Sequence, residues 1–554
     1  MSLNVGLMGK SVMCSGMATA ALLLWHSSLA ATAPTADRCA TLTALKLDQV
    51  VIESAAHQVA NDPVAGTHLP TLSAQLGDGP PVAGLPAFCR AIGLIQPESG
   101  SDIRFEVWMP SEGWDGRLYG VGIGGFAGSI DHLALGMAVK AGQAGAATDT
   151  GHAAAATDST WAKGHPERVR DYGWRAIHLT TLAAKKLISA FYGRGPQRSY
   201  FVGCSGGGRQ GLVEASRFPE DYDGILAGAP AALWTDLVMS MTNAIQAQRP
   251  SGRGIRHEQA HLLQEQVLKQ CDAIDGQTDE LVEDPRLCKF DYSRLACGTS
   301  NSPQCFTPSQ LDALKRIHAG PRDASGRQLT GGYLPSGSEA GTPSPMLGWE
   351  GYLLTGPTDG PRVEALAGGL LQNFVQGEFS TTATFDFDKD PARLRATLAA
   401  DLDADPNLGR FFERGGKLIL WHGWADAAIP PEATLKFHES VLHSSGPRAK
   451  DSMRLFMIPG VQHCFGGAGA DVFGQLAAPQ PGETAERSMV AALHAWVEQG
   501  KSPETIIGRR GHGGATGIPA TGPERQRLLC AYPAKAVLNT GADPDKAASY
   551  RCQR

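Results

Sequence analysis

The chain has 554 residues, a formal net charge of −6, 42% hydrophobic residues and 19% charged ones. That balance supplies a large apolar core and excludes a disordered chain, which carries more charge and fewer apolar side chains. The near parity of 49 basic and 55 acidic residues argues against a nucleic-acid binder, whose footprint is a basic patch. The high counts of glycine (67) and proline (35) point to loops and tight turns and disfavour a coiled coil or solenoid.

In chain order, Lys10 precedes a mostly apolar run, Ser11 to Trp25, and small residues follow at Ser28, Ala30, Ala31 and Ala33. Residues 1–33 read as a secretory signal peptide, which predicts a secreted or periplasmic protein. No later run reaches the ~18 apolar residues that span a bilayer, so no membrane contact is expected of the mature form. From about Leu69 to Trp234 strands alternate with helices. Strands are predicted at Ile103–Met109, Arg117–Ile123, Gly145–Thr148 and Ser199–Val202, with a one-sided helix over Tyr172–Tyr192. Such alternation predicts an α/β fold with a largely parallel sheet. The pattern breaks in the middle of the chain and resumes with strands at Lys417–Trp421 and Met453–Ile458 and a helix at Ser488–Glu498. The expected organisation is a core of residues 34–234 and 408–554, interrupted by an inserted domain of residues 235–407.

A strand running into Gly203-Cys204-Ser205-Gly206-Gly207 and then a helix matches G-x-S-x-G in the strand–turn–helix setting of a nucleophile elbow. The five-residue pattern is weak alone; its setting gives it weight. No Lys-Ser/Thr pair follows, so a phosphate-binding turn is disfavoured. A serine hydroxyl needs a base, and the base needs an acid to orient it. In this order of elements the acid and then the base follow the serine, each just past a strand end. Asp426 follows Lys417–Trp421, and His463 follows Met453–Ile458. His422 precedes the acid and reads as structural. Oxyanion donors are expected from the amide of Gly206 and from the glycine-rich turn Gly122–Gly128, where Gly125 is favoured.

Of eleven cysteines, Cys14 falls in the leader and ten remain, an even set suited to full pairing in an oxidising compartment. Cys204 and Cys464 abut Ser205 and His463. They are either buried thiols, partners of other cysteines, or a bond tying base to nucleophile. A loop with Asp272, Asp275 and Asp279 around Gly276 offers hard oxygen ligands, although its spacing is not that of an EF-hand and a solvated acidic loop is the commoner role.

Cys204-Ser205, Asp426 and His463-Cys464 resemble the CS-D-HC arrangement of the tannase/feruloyl esterase family. The resemblance extends through Gly122–Gly128, Thr148–His152, Asp171–Ala176, Phe218–Gly224 and Gly228–Pro230. It implies an α/β-hydrolase core with an inserted lid and hydrolysis of small-molecule esters of aromatic acids, such as feruloyl or galloyl esters, through an acyl-enzyme. It also implies five disulfides: Cys39–Cys89, Cys204–Cys464, Cys271–Cys288, Cys297–Cys305 and Cys530–Cys552. A structural Ca²⁺ in the lid is implied as well, held by Asp272, Asp275 and Asp279 with backbone oxygens of Gln277 and Leu281. Two alternatives stay open: an aromatic monoesterase like the family's mono(2-hydroxyethyl) terephthalate hydrolase, and a serine peptidase of the same core. The terephthalate hydrolase carries a glutamate after its nucleophile, where this chain has Gly206. Trp349, Tyr352 and Phe374 could stack on an aromatic acyl group, though ordinary packing is the commoner role for each, and Ile429 could reach the pocket mouth.

Overall fold

The computed structural model describes residues 35–66, 79–250, 252, 254–298, 304–341, 347–354, 361–510 and 525–554. The expected signal peptide lies outside them. Nine strands form the central sheet: β1 (Val50–Gln58), β2 (Phe88–Ile95), β3 (Ile103–Pro110), β4 (Arg117–Val121), β5 (Ala144–Thr148), β6 (Arg198–Cys204), β7 (Gly224–Gly228), β8 (Lys417–Gly423) and β9 (Met453–Ile458). Their order is β1-β2-β3-β5-β4-β6-β7-β8-β9. The pairings β1–β2, β2–β3 and β3–β5 are antiparallel. From β5 across to β9 every neighbour is parallel. Strands β5 and β7 are buried at every position, as a parallel sheet covered on both faces requires. This is an α/β-hydrolase fold.

The strands predicted from sequence are all present. Strands β1, β2 and β7 escaped prediction; in β1 only Ile52 of the nine residues is buried, so it shows no clear apolar alternation. The predicted helix Tyr172–Tyr192 divides in two. Asp171–Arg175 wind as a π-turn, and the α-helix α1 runs from Ala176 to Tyr192 with Ile177, Ala183, Leu187 and Ile188 buried. Buried Arg209 gives the physical reason: its guanidinium donates to the carbonyls of Tyr172 (3.1 Å) and Gly173 (2.7 Å), diverting them from the helix ladder.

The helix α2 (Gly206–Arg217) springs directly from β6. Between β7 and β8, the described part of residues 229–416 adds no strand to the sheet. It carries α3 (Trp234–Gln248), α4 (His257–Cys271), α5 (Pro308–Ala319), α6 (Arg362–Gly369) and α7 (Asp390–Leu402). The start of α5 is built by a reciprocal cap, Thr307 Oγ1 accepting from Gln310 N at 3.3 Å while the Gln310 side chain accepts from Thr307 N at 3.0 Å. Helix α3 is buried along most of its length. One apolar cluster joins it to Phe126, Trp161 and Tyr172 of the N-terminal part and to Ala428 and Ile429 beyond β8. The insertion therefore shares a core with the segments that follow β4, β5 and β8, and Thr35–Arg554 forms one compact unit. Arg209 also reaches the Leu402 carbonyl at the end of α7 (3.3 Å), tying the insertion to α2.

All five disulfides implied by the resemblance are formed: Cys39–Cys89, Cys204–Cys464, Cys271–Cys288, Cys297–Cys305 and Cys530–Cys552. Such a set fits an oxidising compartment.

The passage from β6 to α2 depends on close backbone approach. A Cβ on Gly203 would lie 2.5 Å from the carbonyl of Gly207. Gly203→Ala should therefore destabilise the protein by at least about 2 kcal/mol, read as a fall in the denaturant midpoint.

Candidate active site

Four strand ends on one edge of the sheet supply the site. Ser205 follows β6, the glycine turn Gly122–Gly125 follows β4, Asp426 follows β8 and His463 follows β9. This is the carboxyl edge of a parallel sheet, where such folds bind their ligands.

Ser205 has φ 62° and ψ −121°, a conformation that non-glycine residues rarely adopt. The turn is held from both sides: Ser205 N donates to Gly228 O at 2.9 Å, and Ser205 O accepts from Ala231 N at 3.1 Å. A Cβ on Gly206 would lie 3.4 Å from Gly125 N. The two glycines are thus neighbours, and among the described residues neither of their amides has a protein acceptor.

Asp426 is fully buried and uses both oxygens. Oδ1 accepts from Ala428 N (2.7 Å) and Ile429 N (2.9 Å). Oδ2 lies 2.7 Å from His463 Nδ1 and 3.1 Å from His422 Nε2. Burial alone would raise this carboxyl, but the two histidines outweigh it and hold it well below the usual carboxylate range. The acid turn and the histidine loop are joined by backbone as well, Trp424 N donating to Ile458 O (2.8 Å) and Ala425 N to Val461 O (3.0 Å).

The Cys204–Cys464 bond, with Cα atoms 5.9 Å apart, ties the residue before Ser205 to the residue after His463. Cys464 itself has φ 67°. Cys464, one end of the cross-link, and Ser205, next to the other end, thus both lie in the sparsely populated half of backbone space.

Ser205 and His463 line a cavity of about 500 Å³, within the range of small-molecule sites. Its walls come from the glycine turn (Gly125), from the inserted helices (Trp234, Leu237, Met241, Arg362, Leu366) and from Ala428 and Ile429 beyond the acid. Tyr352 also lines it, edge-on to the His463 ring at 5.7 Å. Trp349 and Phe374 do not line it: Phe374 packs on Phe126 and Trp161, and Trp349 on His318. Ordinary packing is thus the role of two of the three aromatic candidates, and Ile429 does reach the cavity. Sequence reasoning missed Arg362 and Met241, for which spacing offered no signal because both enter the site from the insertion.

In the acidic loop, Asp272 accepts from the amides of Asp279 and Glu280, both at 3.2 Å, and Gly276 takes φ 90°. Arg527 of the C-terminal ribbon approaches Asp279 (2.6 Å), Glu283 (3.0 Å) and Asp275 (3.7 Å). Three carboxylates thus face a single guanidinium, with Asp272 alongside them, and Asp279 Oδ1 is buried without a partner. A hard divalent cation fits that surplus of negative oxygen.

The model of the family described as tannase and feruloyl esterase matches residues 89–553 of the chain. An uncharacterized esterase of Xanthomonas campestris pv. campestris is 37% identical over 555 residues, covering 95% of this chain and 92% of that one. Mono(2-hydroxyethyl) terephthalate hydrolase of Piscinibacter sakaiensis is 31% identical, covering 85% of each. A solved esterase from Aspergillus oryzae superposes with a TM-score of 0.82 at 25% identity, covering 94% of this chain and all of that one. The chain belongs to the tannase and feruloyl esterase family. It is a carboxylic ester hydrolase.

Replacing the Asp426 carboxylate with an amide leaves an NH₂ facing either two histidine donors or two backbone donors. Asp426→Asn should lower ester turnover by about 10³-fold or more and cost about 3 kcal/mol of stability, measured by steady-state kinetics and denaturant unfolding.

Proposed function

We propose that this protein is an exported serine esterase that cleaves esters of aromatic acids through an acyl-enzyme on Ser205. The single observation that carries the reading is the convergence of Ser205 and His463 on one cavity, with His463 Nδ1 2.7 Å from the buried Asp426 carboxylate. Asp426 fixes the tautomer that leaves His463 Nε2 free to accept a proton. The Ser205 hydroxyl attacks the ester carbonyl carbon as His463 takes its proton. The resulting oxyanion accepts hydrogen bonds from the amides of Gly125 and Gly206. Collapse breaks the carbon–oxygen bond, and the leaving alcohol takes the proton from His463. Water then attacks the acyl-enzyme by the same route, releasing the acid and restoring Ser205.

The aromatic preference rests on the apolar and aromatic walls of the cavity, Trp234, Leu237, Tyr352 and Leu366, and on the substrates for which the relatives are named. A second reading, an aromatic monoester with a free carboxylate, is favoured by Arg362. Its guanidinium lies 4.9 Å from the Tyr352 ring on the cavity wall, with no carboxylate at ion-pair distance among the described residues. If this reading holds, Arg362→Ala should raise KM for a carboxylated benzoate ester and leave the matching methyl ester little changed. Export is supported by the leader pattern of residues 1–33 and by the five disulfides.

For calcium, Asp272, Asp275 and Asp279 would hold the ion together with main-chain oxygens of Gln277 and Leu281. Its role would be to neutralise the loop and brace the insertion, away from the ester. Chelation should lower the melting temperature more than the rate per folded molecule, and Asp275→Ala should lose bound calcium. Unchanged metal content in that variant would remove the assignment.

The direct test of the serine mechanism is Ser205→Ala, with p-nitrophenyl esters and peptide anilides as paired substrates. The wild type should cleave the esters and spare the anilides, and the variant should retain less than about 0.1% of ester activity. A fluorophosphonate adduct should map to Ser205 alone. Substantial activity in the variant would refute the triad.

A further inference from the structure

His422 lies at the buried end of β8, fully enclosed, four residues before the acid. Its order in the chain sets it aside as the general base, and it does not line the cavity. Its contacts nevertheless give it a defined chemical task. Nε2 lies 3.1 Å from Asp426 Oδ2 and 3.1 Å from the Ile429 carbonyl oxygen. Both are pure acceptors, so Nε2 carries the hydrogen. On the other side, Nδ1 lies 2.7 Å from Thr434 Oγ1 at the start of α8 (Pro431–Ser444). Among the described residues the Thr434 hydroxyl has no other hydrogen-bond partner, so it donates and Nδ1 accepts. The ring is thereby held with its hydrogen on Nε2 and its Nδ1 as acceptor.

We infer that His422 is a positioning residue for ester hydrolysis: a second imidazole that pins Asp426 Oδ2 in the plane His463 needs, with Thr434 setting its tautomer. This rests on the triad proposed above. His463 Nδ1 and His422 Nε2 share Oδ2, while the amides of Ala428 and Ile429 hold Oδ1. The carboxylate has four donors and no torsional freedom left. His422 is the only one of the four that is a side chain on a sheet strand, and it transfers the rigidity of β8 to the turn. Because it also holds the carbonyl of Ile429, a residue of the cavity wall, it couples the direction of the acid to the position of that wall. Loss of the imidazole frees the carboxylate to rotate about its terminal bond, and small misplacements of a catalytic group cost rate steeply.

The experiment uses four variants of the full chain. His422→Leu should lower kcat about 100-fold with KM little changed. His422→Gln should recover most of that loss, since its terminal amide can present a donor where Nε2 stood. Thr434→Val should lower kcat about tenfold by releasing the tautomer, and Thr434→Ser should restore it. Circular dichroism and melting curves establish that each variant is folded. If His422→Leu destroys the fold, the Thr434 pair carries the test alone. A folded His422→Leu with unchanged kcat, or a Thr434→Val indistinguishable from Thr434→Ser, would overturn the inference. Independently of turnover, nitrogen NMR of a histidine-labelled Ser205→Ala protein should show His422 protonated at Nε2 and unprotonated at Nδ1. A spectrum with the proton on Nδ1 would also overturn it. Failure of the triad itself reads out elsewhere, as activity surviving in Ser205→Ala, and leaves the tautomer measurement to be judged separately.

Discussion

The covalent bond between Cys204 and Cys464 is the constraint around which the site is organised. Ser205 and His463 stand on turns after β6 and β9, with β7 and β8 between them in the sheet and the whole insertion between them in sequence. In hydrolases without such a bond, packing alone must hold two turns of this kind in register. Here a cross-link closing 260 residues joins them one residue from each functional group. In the chain-entropy account, closing a loop of that size removes roughly 5 kcal/mol of disorder from the unfolded chain. It also offsets the local cost of Ser205 and Cys464, both at positive φ, which elsewhere would each be a weak point of about 1–3 kcal/mol.

Electrostatics complete what the bond begins. A buried carboxylate is costly unless every lone pair is met, and Asp426 meets four donors drawn from its own turn, from β8 and from the histidine loop. The four donors favour its ionised form and fix its direction, which is the preorganisation that the proposed acyl transfer demands. The insertion contributes at a different level. It supplies much of the cavity wall but none of Ser205, Asp426 and His463, so in the proposed mechanism its sequence can set substrate choice while the four strand ends carry the chemistry.

Much of this was legible in the sequence, for local reasons. The parallel strands are short apolar runs bounded by turn residues, and Ser205, Asp426 and His463 each fall just beyond such a run in the order expected of a nucleophile, acid and base. The cysteines flanking Ser205 and His463 carried the same message, although residues alone left their pairing open and the resemblance supplied it. What could not be read has a common cause: it depends on contacts between distant segments. Strand β1 is half exposed and shows no periodicity. The π-turn before α1 exists because Arg209, far along the chain, takes its carbonyls. Arg362 and Met241 enter the cavity from an insertion whose path no pattern announces. His422 reads from its order in the chain as structural, and the structure buries it at the end of β8. Its bond to the acid, which depends on how the Asp426 turn folds back over β8, was not visible.

The claim that the Cys204–Cys464 bond holds base against nucleophile is tested most directly by the acylation rate of a Cys204→Ala/Cys464→Ala protein. Single-turnover kinetics should be recorded at a temperature where both it and the wild type are fully folded. The account predicts acylation slowed by about 100-fold while the fold persists, because the two turns lose their common tether. Acylation at the wild-type rate in the folded double variant would show that packing alone sets the geometry, and would contradict the account.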